Sequence, residues 1–181
     1  PVETRSLPRD PRARIEEEMA RAIQTALRAE PGSILAFLPG QGEIRRVAQM
    51  LDGAVPANVD VAPLYGAMER AAQDRAVLPA QTGRRKIVLA TSLAETSITI
   101  EGVRVVIDSG LARVPRFEPD LGLTRLETVR VSRAAADQRR GRAGQGNRQA
   151  QQTVELAHMG AAHVLRHGRA FDDGVHAIAH A

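Results

Sequence analysis

The sequence has no cysteine and no tryptophan, one tyrosine, three phenylalanines and a single lysine, Lys86. Without thiols, disulfides, cysteine nucleophiles and cysteine-ligated zinc are excluded. With aromatics at 2%, the core has to be assembled from Val, Ile, Leu and Ala, and a base-stacking platform for single strands has few rings to build on. No apolar run approaches the roughly 20 residues of a membrane helix, and no leader peptide opens the chain. A soluble cytoplasmic protein with no membrane partner is the expectation. A G-x-x-x-x-G-K-[ST] phosphate loop, an H-E-x-x-H helix and a Ser-His-Asp order are also missing. Hydrolase chemistry of those kinds has no support, and no Asp-Glu pair stands at a strand end to hold Mg²⁺. The opening "PVETRSLPRD" lacks an initiator Met and reads as part of a longer protein.

What is present suits one compact domain: 181 residues, 43% of them hydrophobic. The net charge of +4 is carried almost wholly by arginine, which fits a phosphate-bearing partner. A GC-rich coding sequence accounts for an Arg and Ala bias equally well.

Apolar spacing alternates between two periods. Ile15, Met19, Ile23 and Leu27 recur every fourth residue and mark a helix, with Asp10 as its expected N-cap, Pro11 at its first position and Gly32 at its end. "SILAFL" is a continuous apolar run, as in a strand buried on both sides. "EIRRVAQMLDG" resumes helical spacing. "VDVAPLY", "MERAAQDRAVL", "KIVLAT" and "VRVVIDSG" continue as strand, helix, strand and strand. Residues 111–132 read as a surface β-hairpin, and "SRAAADQRRGRAG" as a helix capped by Ser132. "QQTVELAHM" reads as a last strand and "AAHVLRHGRAF" as a weak helix. Such alternation implies right-handed βαβ units around a parallel sheet, with ligands at the carboxyl ends of the strands. "PGQG", "TSLAETSIT" and "DSG" each follow a buried strand, which puts them on that rim.

Four segments carry candidate chemistry. "ADQRRGRAGQGNRQ" holds Arg139, Arg140, Arg142 and Arg148 among glycines, and Gln138 and Arg142 are four apart on one helical face. A guanidinium fork suits a phosphate. No carboxylate cluster lies nearby in sequence, so an external anion is the expected partner. A solvated basic helix fits the same spacing. The hydroxyls Thr91, Ser92, Thr96, Ser97 and Thr99 suit phosphate or sugar contacts, and equally the capping of a short helix. "FLPGQGEI" puts backbone N–H groups at a helix start, where anions are favoured. His163 and His167 share a helical spacing that metal ligands use, although loose tail sequence explains them as well.

In order and in spacing, these segments resemble the second RecA-like domain of DEAH-box RNA helicases, most closely the HrpB-like branch. "ILAFLPGQGEI" is similar to motif IV, "PLYGAMERAAQDR" to the segment after it, and "KIVLATSLAETSITIEGVRVVIDSGLAR" to motif V. "PRFEPDLGLTRLETVRVSRAAADQRRGRAG" resembles the hairpin running into motif VI. The match covers residues 1 to about 144. It implies a RecA-like parallel sheet of the P-loop NTPase type, flanked by helices and carrying a surface hairpin. A helicase domain is expected over 1–146 and a divergent or poorly ordered tail over 147–181.

By that resemblance the chain is half of an ATP-dependent RNA helicase core. ATP and Mg²⁺ would be held mainly by a first RecA-like domain carrying the P-loop and the DEAH box. Arg142 would be an arginine finger and Gln138 would position the attacking water. Ser97, Glu101 and Arg139 would bind nucleotide. Gly40, Gln41, Thr91 and Thr99 would touch the backbone of single-stranded RNA, with DNA as an alternative strand. Alone, the chain would not hydrolyse ATP.

Three positions depart from the family pattern: Gln145 replaces a second arginine finger, Val77 an aromatic that stacks on adenine, and Ser92 an asparagine. Loss of a finger costs about 10³–10⁵ in rate, so a catalytically inactive RNA-binding remnant is the alternative reading. An unrelated phosphate-binding α/β domain is a third. The match stops inside motif VI, which suggests that a frameshift or truncation replaced the family's continuation.

Overall fold

The structure is a computed structural model that describes residues 10, 12–92, 100–120 and 122–142, together with the backbone of 4–6, 154–156 and 163–165. In chain order the elements are β1 (Thr4–Ser6), α1 (Ile15–Ala29), β2 (Ser33–Phe37), α2 (Gln41–Leu51), β3 (Val59–Leu64), α3 (Arg70–Val77) and β4 (Arg85–Ala90). Then follow β5 (Val103–Asp108), β6 (Leu111–Glu118), β7 (Leu123–Arg130), α4 (Arg133–Gly141), β8 (Val154–Leu156) and β9 (His163–Leu165).

A four-stranded parallel sheet in the order β3-β4-β2-β5 forms the centre. Every residue of β2 is buried, as its unbroken apolar run requires of a strand covered on both faces. The period of two divides its side chains between two cores. Ile34, Ala36 and Leu38 join Met19 and Ile23 of α1 and Ile44, Val47 and Leu51 of α2. Leu35 and Phe37 point the other way, joining Ala76 of α3, Ala136 of α4, and Ile100 from the segment before β5. β6 and β7 pair antiparallel as a separate, largely exposed hairpin.

Successive residues of β4 serve both layers. Arg85 spends three donors on α1's carboxyl end, reaching the carbonyls of Leu27, Glu30 and Gly32 at 2.8, 2.6 and 2.7 Å. Burial lowers its pKa below the ordinary guanidinium value. Lys86, on the opposite face, donates from Nζ to the carbonyls of Leu78 and Arg75 at 2.6 and 3.3 Å, closing the end of α3. Cations there satisfy carbonyls that have no helical partner and meet the negative end of the helix dipole.

Two expectations need correction. Asp10 does not cap α1: its Oδ1 accepts from the Arg12 N–H at 2.9 Å and its carbonyl from Ala13. That local turn delays the helix to Ile15, with Arg14 at the N-cap. In the tail, His163–Leu165 is a strand rather than part of a helix. It pairs antiparallel with β1 on one side and β8 on the other, so its backbone is satisfied between strands. The expected strand near 151–159 is present at Val154–Leu156. Most of the tail called divergent or poorly ordered lies outside the described residues.

Candidate functional site

The rim at the carboxyl ends of β4, β2 and β5 collects the polar segments, because these three strands are parallel neighbours. After β2 the Leu38 N–H donates to the Ala90 carbonyl at 2.8 Å, and the Ser109 N–H donates to the Phe37 carbonyl at 3.0 Å. Pro39–Gly40, Thr91–Ser92 and Asp108–Gly110 therefore lie side by side. Thr91 is half-buried, and its N–H donates to the Leu64 carbonyl at 3.2 Å.

Gly40 is the N-cap of α2 and is buried, while Gln41 beside it is half-buried. A Cβ on Gly40 would stand 2.9 Å from both the Arg113 guanidinium and Glu43 Oε2, so a larger residue would make the ends of those two side chains shift away from the turn. Arg113, from the root of the hairpin, pairs with Glu43 at 3.0 Å. Glu43 also meets Arg46 at 3.5 Å, and Arg46 pairs with Glu16 at 2.5 Å. This chain of charges links α1, α2 and β6. Burial alone pushes the Glu16 carboxyl up, but its backbone hydrogen bond and Arg46 outweigh that and hold it below the ordinary carboxylate range.

Ser132 caps α4 as expected, its Oγ accepting from the Ala135 N–H at 3.2 Å. The helix turns three faces to three environments. Gln138 is exposed. Arg142 is half-buried at the C-cap, where its N–H donates to the carbonyls of Arg139 and Arg140. Arg139, one position round from Gln138, turns inward and is 1% exposed. Its Nη1 donates to Asp108 Oδ1 at 2.6 Å and to the Leu111 carbonyl at 3.4 Å. Its guanidinium carbon lies 4.9 Å from the centre of the Phe37 ring. Asp108 is fully buried at the end of β5, and its Oδ1 also accepts from the Gly110 N–H at 2.8 Å.

The structure thus divides the expected site. It brings Gly40, Gln41 and Thr91 to one rim and docks α4 beside the end of β5. It places Arg139 differently from the expected nucleotide contact: a cation in the core needs a buried counter-charge, and Asp108 supplies one. Arg140 stays exposed and pairs with Asp137 at 2.6 Å within the same helix. Glu101 is exposed in the turn before β5, at the amino edge, where the carbonyl of neighbouring Gly102 accepts from the Ser33 N–H at 3.0 Å. β5 itself spans roughly 16 Å between that edge and Asp108. Val77 ends α3 half-buried against the second core, on the same side of the sheet as α4. Ser97, Thr99 and Gln145 lie outside the described residues.

Sequence reasoning missed Phe37, Asp108 as an arginine partner, Arg113 and Glu43. The available signal for Asp108 was an acid ending a strand that is otherwise apolar. Among the described residues no group of three His, Asp or Glu side chains could hold a metal ion, and no helix is long and apolar enough to cross a membrane.

The family model for the helicase conserved C-terminal domain matches residues 16–147. The chain is similar to the ATP-dependent RNA helicase HrpB of Escherichia coli (strain K12), 52% identical over 144 residues, which are 80% of this chain and 18% of that protein. It is also similar to the pre-mRNA-splicing factor ATP-dependent RNA helicase prp22 of Schizosaccharomyces pombe, 39% identical over 137 residues, 72% of this chain and 12% of that protein. A crystal structure of the E. coli DExH-box NTPase HrpB superposes with a TM-score of 0.77 at 47% identity, covering 87% of this chain and 19% of that one. The chain thus spans less than a fifth of the length of these relatives.

Proposed function

The chain belongs to the helicase conserved C-terminal domain family, and on that premise we propose that it is the second RecA-like domain of an ATP-dependent RNA helicase core. In this reading it lends α4 to an ATP that a first RecA-like domain brings with its Mg²⁺. ATP is the substrate, and its transfer develops charge on the γ-phosphoryl oxygens. Arg142 neutralises that charge, and Gln138, four residues earlier on the helix, orients the attacking water. Ser97 and Glu101 would contact the nucleotide. Gly40, Gln41, Thr91 and Thr99 hold the RNA backbone, and repeated opening and closing of the two domains steps those contacts along the strand.

The observation that best supports this reading is the docking of α4. A helix rich in arginine buries one of them against the sheet and leaves Gln138 exposed and Arg142 half-buried. The test joins the chain to a first RecA-like domain and measures RNA-stimulated ATP turnover with and without Arg142→Ala. Turnover that requires both RNA and Arg142 supports the reading. ATP turnover by the chain alone, above background, overturns it.

Gln145, in the place of a second arginine finger, favours one further reading: a module that binds single-stranded RNA without catalysis. Gln145→Arg in the joined protein separates the two. Rescue of turnover marks a weakened enzyme, and RNA binding without turnover in both forms marks the binding module.

A further inference from the structure

We propose that Asp108 and Arg139 are a positioning pair, which sets the rotation of α4 and so aims Gln138 and Arg142. This deepens the proposed function and rests on it. The pair has the features of a built joint. Both side chains are essentially fully buried, at 0% and 1% exposure, and meet at 2.6 Å. The guanidinium is fixed on three sides by groups from three elements: Asp108 ending β5, the Leu111 carbonyl beginning β6, and the Phe37 ring ending β2.

The need for such a joint follows from what else holds α4. Apart from Arg139, the only buried residue of the helix is Ala136, whose single methyl group adds little burial. A nine-residue helix with so small an apolar face can roll on the sheet. Rolling it by one residue's angle would exchange the places of Arg139 and its neighbours. A buried guanidinium resists this strongly, because leaving Asp108 strands two charges in the core. Planarity matters as well, since the fork can meet a carboxylate and a carbonyl while lying over an aromatic ring. An ammonium cannot do all three. The pair therefore acts through Arg142 and Gln138 rather than on the nucleotide. The same guanidinium touches the first residue of the hairpin.

The experiment uses the protein joined to a first RecA-like domain, with ATP and single-stranded RNA, and compares Asp108→Asn, Arg139→Lys, Arg139→Met and Arg142→Ala. Thermal melts and hydrogen exchange of the 135–142 amides are recorded for each. The expected result is a fall in kcat of about 10²-fold for Arg139→Met, the scale of a misplaced catalytic group, with KM for ATP unchanged and faster exchange in α4. Arg139→Lys should recover part of kcat, and Asp108→Asn should resemble Arg139→Met although it touches no nucleotide.

Two results overturn the pair. One is Arg139→Met raising KM while kcat holds, which makes Arg139 a nucleotide ligand. The other is full turnover in both Asp108→Asn and Arg139→Met while Arg142→Ala is dead. If Arg142→Ala is itself fully active, the proposed function fails as well, so the two failures are told apart. Should Arg139→Met melt below the assay temperature, the near-isosteric Asp108→Asn and Arg139→Lys decide by the same kcat and KM criteria.

Discussion

The two layers on either side of the central sheet differ in how much apolar area holds their helices. α1 and α2 bury Met19, Ala20, Ala22, Ile23, Ala26, Ile44, Val47 and Leu51 against one face. On the other face α3 buries only Ala76, and α4 only Ala136 and Arg139. The first layer has its own pins, Arg85 on the end of α1 and Arg46 between Glu16 and Glu43, but most of its hold is apolar area, which is non-directional and tolerant of small shifts. The second is pinned by two cations, Lys86 on the end of α3 and Arg139 on Asp108. Hydrogen bonds are directional, so a thin layer pinned in this way has a definite orientation at low cost in apolar bulk. It is also the layer that carries Gln138 and Arg142. A helix that has to meet a ligand accurately is better served by a few oriented contacts than by a broad greasy face.

Breaking the comparison starts with its strongest pin. Asp108→Ala leaves the Arg139 charge buried without its carboxylate and should cost about 3–5 kcal/mol in a denaturant titration. If the cost is within that of a surface substitution, the second layer is not pinned as described. In the first layer Ile23→Ala should cost about 2–5 kcal/mol by the same titration, with amide exchange in α4 unaffected. Lys86→Met keeps the length of the side chain but loses its hydrogen bonds to two carbonyls. It should cost about 1.5–3 kcal/mol and speed exchange at the end of α3 more than in α1.

The acid response sharpens the contrast further. Glu16 has a folded-state pKa below the unfolded value of 4.5, so its stabilising contribution is fully present above about pH 4.5. It is lost as pH falls through the lower folded value. Melts from pH 6 downward should therefore fall less steeply in Glu16→Gln than in the unaltered chain. The smallest effect belongs to the hairpin. The Arg116–Glu127 and Arg125–Glu118 pairs are solvent-exposed, and Arg116→Ala should change the melt by no more than about 0.5 kcal/mol.

Much of the fold was legible because its signals are local. The buried strands 33–37 and 85–90 announce themselves as apolar runs, and the Ser132 cap lies three residues from the N–H it accepts. The rim of the sheet was legible too, since it follows from strands that alternate with helices. The site was legible only in part. A resemblance to known motifs pointed at α4, but the spacing of its arginines was silent on which one turns inward. Asp10 shows the limit at the smallest scale: a sound capping residue was diverted by a turn two residues long.

The sequence by itself determined the order of elements from α1 to α4, the faces of α1 and α2 and the start of α4, because periodicity and capping act within a turn or two of chain. Only the tertiary structure decided that Arg139 would meet Asp108, 31 residues away, that Arg113 would close over Gly40, and that Glu101 would stand at the amino edge of the sheet, away from Gly40 and Thr91. An arginine reads the same in a sequence whether water or a carboxylate will receive it. The choice is made when burial brings distant chain together and the cost of an unpaired charge selects its partner.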